Sequence, residues 1–379
     1  MSKAIELALK VKERGGRAFY VGGYVRDFLM HRENKDVDIE VFGLDEDILV
    51  DILKSLGEVN FFGKSFGIYS LKGENMEIAL PRTEKVNGFG HKDFLISIDK
   101  NLSYEKASSR RDFTINAMMM DILSGEILDF FNGREDLKNG IIRHVDEEKF
   151  KEDPLRVFRA CQFASRFDFT VDETTIDLCK NIDISFLPKE RIEEEIKKAL
   201  LKSKRASSFF EYLKKMNVTL YFNDLNCFNH LDKYGNNNAT TNPYYFKMAL
   251  IAVDNKNYLN SIKQFTNNKE LLTYVNKMVD LYKSLFKDKN DFIMKMLSFP
   301  QFEELGFFLD EDERIFYNQC LKRYEEIKDE LIDGTTLISW GFKADKNFGK
   351  ILEYVKKRQI EGLKIEDIRA EIMKIFTKN

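Results

Sequence analysis

Two aspartates one residue apart, Asp36 and Asp38, follow a glycine pair, Gly22 and Gly23, in the stretch GGYVRDFLMHRENKDVDIE. Carboxylates this close offer oxygen-only ligands, which suits Mg²⁺, an ion that binds through one or two carboxylates plus substrate phosphates. A glycine pair lets backbone N–H groups approach a phosphate, and the start of a following helix adds a favourable dipole. Together these parts describe phosphoryl transfer, with metal on Asp36 and Asp38 and a triphosphate cradled by Gly22 and Gly23. Alone, Gly-Gly is usually a turn and Asp-x-Asp a solvated edge, so the combination carries the reading. The elements that position them follow from the pattern. Phe19-Tyr20-Val21 predicts a strand and Tyr24 to Met30 a short helix. Val37, Ile39 and Val41 alternate with Asp36, Asp38 and Glu40, so a strand sends all three acids to one face. Glu40 has no evident role at this level.

Two further constellations stand downstream. In RRDFTINAMMMD (110–121), adjacent arginines precede an acid. Arg111 as a fork of donors and Asp112 as an acceptor suit a triphosphate and a ribose hydroxyl; a surface ion pair leading into a buried element is the plain alternative. In EDPLRVFR (152–159), Pro154 is tolerable only in a first helical turn, so a helix begins there. Asp153 could be a helix cap and nothing more. Asp153 and Arg156, three apart, also share a helix face. Ionised Asp only accepts hydrogen bonds and Arg only donates them. Cytosine and adenine show an amino donor beside a ring-nitrogen acceptor, and uracil and guanine the opposite order. Such a pair therefore takes C and A and rejects U and G, because the wrong base leaves buried polar groups unpaired.

The chain has 379 residues, enough for two or three domains with real cores. A composition 43% hydrophobic and 32% charged marks a soluble globular protein. No apolar run approaches the roughly 18 residues of a membrane span. MSKAIELALKVKERGG reads as an amphipathic helix ending at Gly15-Gly16, unlike a signal peptide. Cys161, Cys179, Cys227 and Cys320 are scattered, which argues against structural zinc and for a reducing cytoplasm. A net charge of −3 does not advertise nucleic-acid binding. Locally, Lys197, Lys198, Lys202, Lys204 and Arg205 put five cations in nine residues, a candidate RNA contact or simply a solvated helix face. Strand signals concentrate between residues 19 and 145, with one sheet and helices on one side; from Lys151 onward the pattern is helical.

In this order, the motifs resemble those of the tRNA nucleotidyltransferase and bacterial poly(A) polymerase family, the class II branch of polymerase-β-like nucleotidyltransferases. GGYVRD with DVD resembles its catalytic motif, RRDFTINAM its ribose-selecting motif and DFFNGREDL (129–137) its hinge. EDPLRVFRACQFASRF resembles the base-templating helix, ERIEEEIKKAL from Glu190 the neck helix, and GKSFGIYSL and MEIALPRTE the intervening strands. A weaker likeness returns at LISWGFKADKNFGKILEYVKKRQIEG. The resemblance implies an α/β (α+β) polymerase-β-like nucleotidyltransferase head over 1–145 and a neck with the templating helix over 146–205. It implies a mostly helical, RNA-binding body and tail over 206–379, with a degenerate HD-like region. It implies Mg²⁺-dependent transfer of CMP and AMP from CTP and ATP to the 3′ end of tRNA without a nucleic-acid template. By position, Asp36 and Asp38 would hold the metals, with Glu77 a third acid near them. Gly22, Gly23 and Arg26 would lie near the triphosphate, and Arg111 and Asp112 near the ribose. Glu152, Asp153 and Arg156 would read the base, with Arg159 in support.

Some features depart from the family. It often continues Asp-x-Asp with Ala-Thr, where this chain has Glu40-Val41. Asn229-His230 and MALIAVDNKN resemble a worn HD phosphohydrolase, with Val253 in place of a histidine; His31, His91, His144 and His230 are too scattered for its metal site, so no such activity is expected. Full CCA addition, partial CC or A addition and poly(A) synthesis share these motifs. The long stretch Arg82 to Ser109, with Gly88 and Gly90, is expected to be a movable loop and favours a step beyond CC. Poly(A) relatives usually carry a more basic strand than GKSFGIYSL, which favours tRNA. A non-catalytic RNA-binding protein on the same scaffold is the alternative from another class; it has no need of paired metal ligands.

Overall fold

The computed structural model describes residues 2–34, 36–62, 67–86, 94–218, 228–237 and 239–376. The GKSF part of one expected strand, Gly88, Gly90, His91 and Cys227 lie outside the described residues. Two compact units divide the chain, residues 1–219 and 220–379.

The first unit opens with α1 (Lys3–Glu13), β1 (Arg17–Val21), α2 (Gly23–Leu29), β2 (Val37–Phe42) and α3 (Glu46–Leu56). Four strands follow: β3 (Val59–Phe62), β4 (Ile68–Leu71), β5 (Met76–Ala79) and β6 (Arg82–Val86). Next come β7 (Phe94–Ile98), α4 (Tyr104–Ser109), β8 (Met119–Asp121), β9 (Ile127–Leu128) and α5 (Gly133–Asn139). The unit continues through β10 (Ile141–Ile142), α6 (Glu147–Lys151), α7 (Leu155–Phe167) and β11 (Thr170–Val171) to α8 (Glu173–Lys180), α9 (Lys189–Lys202) and α10 (Ser207–Lys215).

Seven strands form one sheet in the order β3-β4-β5-β2-β1-β8-β9. All neighbours are antiparallel except β2 and β5, which run parallel with Asp38 opposite Glu77. Period-two alternation splits β1 and β2 between two cores. Ala18, Ile39 and Val41 pack with Leu7 and Val11 of α1 and Leu49, Ile52 and Leu53 of α3. Phe19, Val21 and Phe42 face the other way and pack with Ala107 and Tyr104 of α4. Helical cover is therefore not confined to one side, as the sequence pattern had suggested. Asp38 and Glu40 alternate with Ile39 and Val41, so they share the second face.

Between Arg82 and Ser109 the described residues form β6, β7 and α4, and residues 87–93 of the expected loop lie outside the described residues. β6 and β7 pair as an antiparallel ribbon, and Ser103 caps α4 by accepting the Lys106 N–H at 3.3 Å. The run FLISI favours a strand, a signal hidden by the glycines before it. The hinge motif is held by close approach. A Cβ on Gly133 would stand 2.2 Å from the Thr114 carbonyl oxygen, so only glycine fits.

The second unit, taken by itself, is helical. Among the described residues it contains nine α-helices, from Asn229–Tyr234 to Ile365–Phe376, and a short 3₁₀ helix. Phe246, Phe265, Phe292 and Phe308 are buried in its core. His230 Nδ1 lies 2.6 Å from Asp254 Oδ1. Among the described residues no three His, Cys, Asp or Glu side chains converge to hold a metal, and no helix is long and apolar enough to cross a membrane.

Candidate active site

A cleft of about 560 Å³ opens in the first unit, and most of the expected site residues line it. The three acids of the 36–40 run sit at graded depth. Asp36 is exposed just before β2, Asp38 is half-buried in the strand and Glu40 is buried behind them. Only Asp36 and Asp38 reach the cleft. The Asp36 N–H donates to Asn34 Oδ1 at 2.9 Å, and Asn34 in turn donates to Asp27 at 2.9 Å, which fixes the approach to the strand. Burial pushes the Asp38 carboxyl above its ordinary range; Arg111 opposes this, while Glu77 and Asp36 add to it. A carboxylate so burdened by burial and like charge fits a cation. Glu77 is exposed beside Asp38 on β5 and does not line the cleft, and no three-carboxylate cage forms among the described residues. A divalent ion needs none where substrate phosphates supply the remaining ligands.

Gly22 adopts φ +67°, and a Cβ there would lie 3.1 Å from Arg111 Nη1 and 3.6 Å from Asp38 Oδ2. Backbone conformation and crowding both call for glycine at this point. Arg26 is buried. Its Nε donates to Asp27 at 2.8 Å and its Nη1 to Asn116 at 2.6 Å, and its guanidinium lies 4.7 Å from the Phe167 ring centroid. Its Nη2 also pairs with Asp27 at 2.7 Å, so the residue ties α2 to α7 at the wall of the cleft.

Asp112 is the most heavily committed acid. Oδ1 accepts from the Phe113 N–H at 2.8 Å and Asn116 Nδ2 at 2.9 Å, and Oδ2 from Arg159 Nε at 2.7 Å and Nη2 at 2.6 Å. Its acceptor capacity is filled by the protein, so a ribose hydroxyl reaches it only by displacing a partner. Burial works against its charge, but Arg159, Asn116 and Arg156 outweigh it and hold the carboxyl below the ordinary range. This gives a first prediction. Arg159→Ala strips a buried carboxylate of its charge partner and should cost on the order of 3 kcal/mol. A depressed carboxyl contributes stability above its unfolded pKa of about 4 and loses it as pH falls through the folded value. The gap between parent and variant in urea unfolding should therefore be full at neutral pH and close in acid. A gap independent of pH would assign the loss to packing alone.

Asp153 and Arg156 also line the cleft. Asp153 Oδ1 accepts the Leu155 N–H at 3.1 Å, a cap-like bond, and its two oxygens face Arg191 of α9 at 3.3 and 3.1 Å. Arg156 donates to the carbonyls of Lys149 at 2.9 Å and Arg110 at 2.7 Å, which orients its fork. Glu152 does not line the cleft; it caps α6 and pairs with Lys149 at 2.9 Å. From the basic run, Lys202 alone lines the cleft, while Lys198 pairs with Glu195 and Arg205 with Glu211. Arg166, Arg191, Asn34 and Asn116 also line it and were missed in the sequence. Arg191 lies 38 residues from Asp153, and no spacing rule joins them. In all, eight cationic side chains and five carboxylates line the cleft, an excess of positive charge beside the Asp36–Asp38 pair. Such a balance suits a polyanion bound together with a metal.

Residues 18–143 match the family model of the Poly A polymerase head domain. The match is thus to the head alone, and a fold of that kind implies dependence on a divalent metal. A multifunctional CCA protein from Pseudoalteromonas atlantica is 38% identical over 220 residues, 56% of this chain and 52% of that protein. The chain spans about half the length of the curated relatives it matches. A solved CCA-adding enzyme with CTP aligns with a TM-score of 0.72 at 24% identity, covering 98% of this chain and 94% of that one. The Thermotoga maritima CCA-adding enzyme complexed with tRNA_CCA aligns with a TM-score of 0.64 at 23% identity, covering 97% and 93%. At these identities the likeness to solved structures is one of fold, and it extends through both units.

Proposed function

We propose that the protein transfers CMP and AMP from CTP and ATP to the 3′ end of tRNA, without a nucleic-acid template. One observation carries the reading: Asp36 and Asp38, a surplus of arginines, and the Asp153–Arg156 pair all line a single cleft. Curated relatives named as CCA enzymes, and a solved relative bound to tRNA_CCA, support the choice of substrate. Asp36 and Asp38 would hold Mg²⁺, with Glu77 close by; when bound, the ion would neutralise phosphate charge and activate the attacking 3′ hydroxyl. Gly22, Gly23 and Arg111 would receive the triphosphate. Asp112 would act mainly by fixing Arg159, with Asp153 and Arg156 reading the base edge. Arg191 would hold the Asp153 carboxylate in place until a base replaces it.

The test is incorporation of labelled CMP and AMP on tRNAs ending before, within and after CCA. Addition that stops at the completed CCA is the expected result. Addition of only C, or only A, would make the protein a partial enzyme, and an untemplated run of A a poly(A) polymerase. No incorporation of either nucleotide would leave a binding protein on this scaffold.

The basic run and the helical second unit supply RNA affinity in this reading, largely through phosphate contacts. Replacing Lys197, Lys198, Lys204 and Arg205 with Gln should weaken tRNA binding and flatten its salt dependence by up to about 0.9 per lost phosphate contact, with CTP affinity unchanged. Lys202→Gln differs, because that side chain lines the cleft, and it should weaken CTP as well. An unchanged salt slope in the fourfold variant would reduce the run to a solvated face.

A further inference from the structure

Glu40 lies two residues beyond Asp38 on the same face of β2, is only 2% exposed, and does not line the cleft. Its Oε1 accepts from Arg110 Nη2 at 3.0 Å, and its Oε2 stands 3.8 Å from Arg111 Nη2. One buried carboxylate thus faces two consecutive arginines, each oxygen toward one of them. The two guanidinium groups repel each other, and without an anion between them both would turn toward water. Each arginine has a different onward neighbour in the cleft. Arg111 Nη1 lies against Gly22 and Asp38, where the phosphates are expected. Arg110 offers its carbonyl oxygen to Arg156 Nη2 at 2.7 Å, where the base is expected. A carboxamide could not serve both, since its –NH₂ would face one guanidinium.

We infer that Glu40 is a positioning residue that couples the phosphate and base subsites, holding Arg111 at the phosphates and, through Arg110, Arg156 at the base. The inference rests on the nucleotide-transfer reading of the cleft. It explains why an acid that touches no substrate stands in the metal-binding strand. It also gives the period-two acidic pattern two functions, with Asp36 and Asp38 facing outward to ligands and Glu40 inward to arginines.

The experiment compares the parent with Glu40→Gln, Glu40→Asp and Arg110→Gln, each checked for folding by thermal unfolding. Binding of CTP, ATP and UTP is measured first by calorimetry, and incorporation of the three nucleotides on tRNA second. Glu40→Gln should weaken CTP and ATP binding and reduce the preference for CTP over UTP, each by about tenfold, the worth of one charged hydrogen bond. Glu40→Asp keeps the charge and should recover part of the preference. Arg110→Gln breaks the same tie from the cleft side and should lower the preference even if Glu40→Gln does not fold. Folded variants with a lower melting temperature and unchanged selectivity in both assays would overturn the proposal, leaving Glu40 a structural ion pair. Failure of the parent itself to bind CTP or incorporate CMP would instead strike at the nucleotide-transfer reading.

Discussion

Asp38→Asn should lower nucleotide transfer by a factor of ~10³ or more while leaving the fold at least as stable at neutral pH. The first half follows from the chemistry: a bound metal contributes several kcal/mol of charge stabilisation in phosphoryl transfer, and each 1.36 kcal/mol is tenfold in rate. The second half follows from the strand. Burial, with Glu77 and Asp36 beside it, raises the Asp38 carboxyl even though Arg111 opposes the shift. A carboxyl raised in the folded state favours folding when protonated, so stability rises as pH falls through that window and is lost above it. Asparagine imitates the neutral form at every pH and relieves the burden at neutrality. Added Mg²⁺ should raise the melting temperature of the parent and not of the variant, because only the parent holds the ion. Asp36→Ala should lose transfer to a similar degree, with little change in stability, since that side chain is exposed. Near-normal turnover in both variants would sink the metal assignment. A marked drop in the melting temperature of Asp38→Asn would instead make Asp38 a structural acid.

Base choice gives the other large effect. Arg156→Ala removes a fork that the Lys149 and Arg110 carbonyls hold toward the cleft. The ring acceptor of C or A then lacks a charged donor, at about 1.5–3 kcal/mol, or one to two powers of ten in efficiency. Discrimination against UTP and GTP should fall together with it. Asp153→Asn separates templating from capping. Asparagine caps as well as aspartate, so the Leu155 N–H bond survives. It cannot hold Arg191 as a charge partner, however, and its amide can turn to present a donor to U or G. Incorporation of all four nucleotides should therefore show misselection with a nearly unchanged melting temperature. Preserved preference for C and A would return Asp153 to the role of a helix cap.

Much of the first unit was legible in the sequence because its signals are local. Alternation in VDIEVF fixes which residues of β2 share a face, and Pro154 marks where α7 begins; neither needs a distant partner. Glycine at 22 followed by a helix, and paired acids at the start of a strand, suggest a phosphate-and-metal chemistry from spacing alone. Sequence periodicity does not contain depth, which is why Asp38 and Glu40 looked equivalent. The second face of the sheet meets α4 and the Arg110–Arg111 pair at Glu40 but opens to the cleft at Asp38, and only packing creates that difference. Long-range ion pairs were invisible for the same reason. Arg191 reaches Asp153 across 38 residues and Arg159 reaches Asp112 across 47 because folding lays α9 and the RRD segment against α7. Residue types and spacing suggested a chemistry for this protein. Tertiary structure decided which charges meet ligands and which hold other charges in place, because charge pairing depends on distance through space and burial rather than on order along the chain.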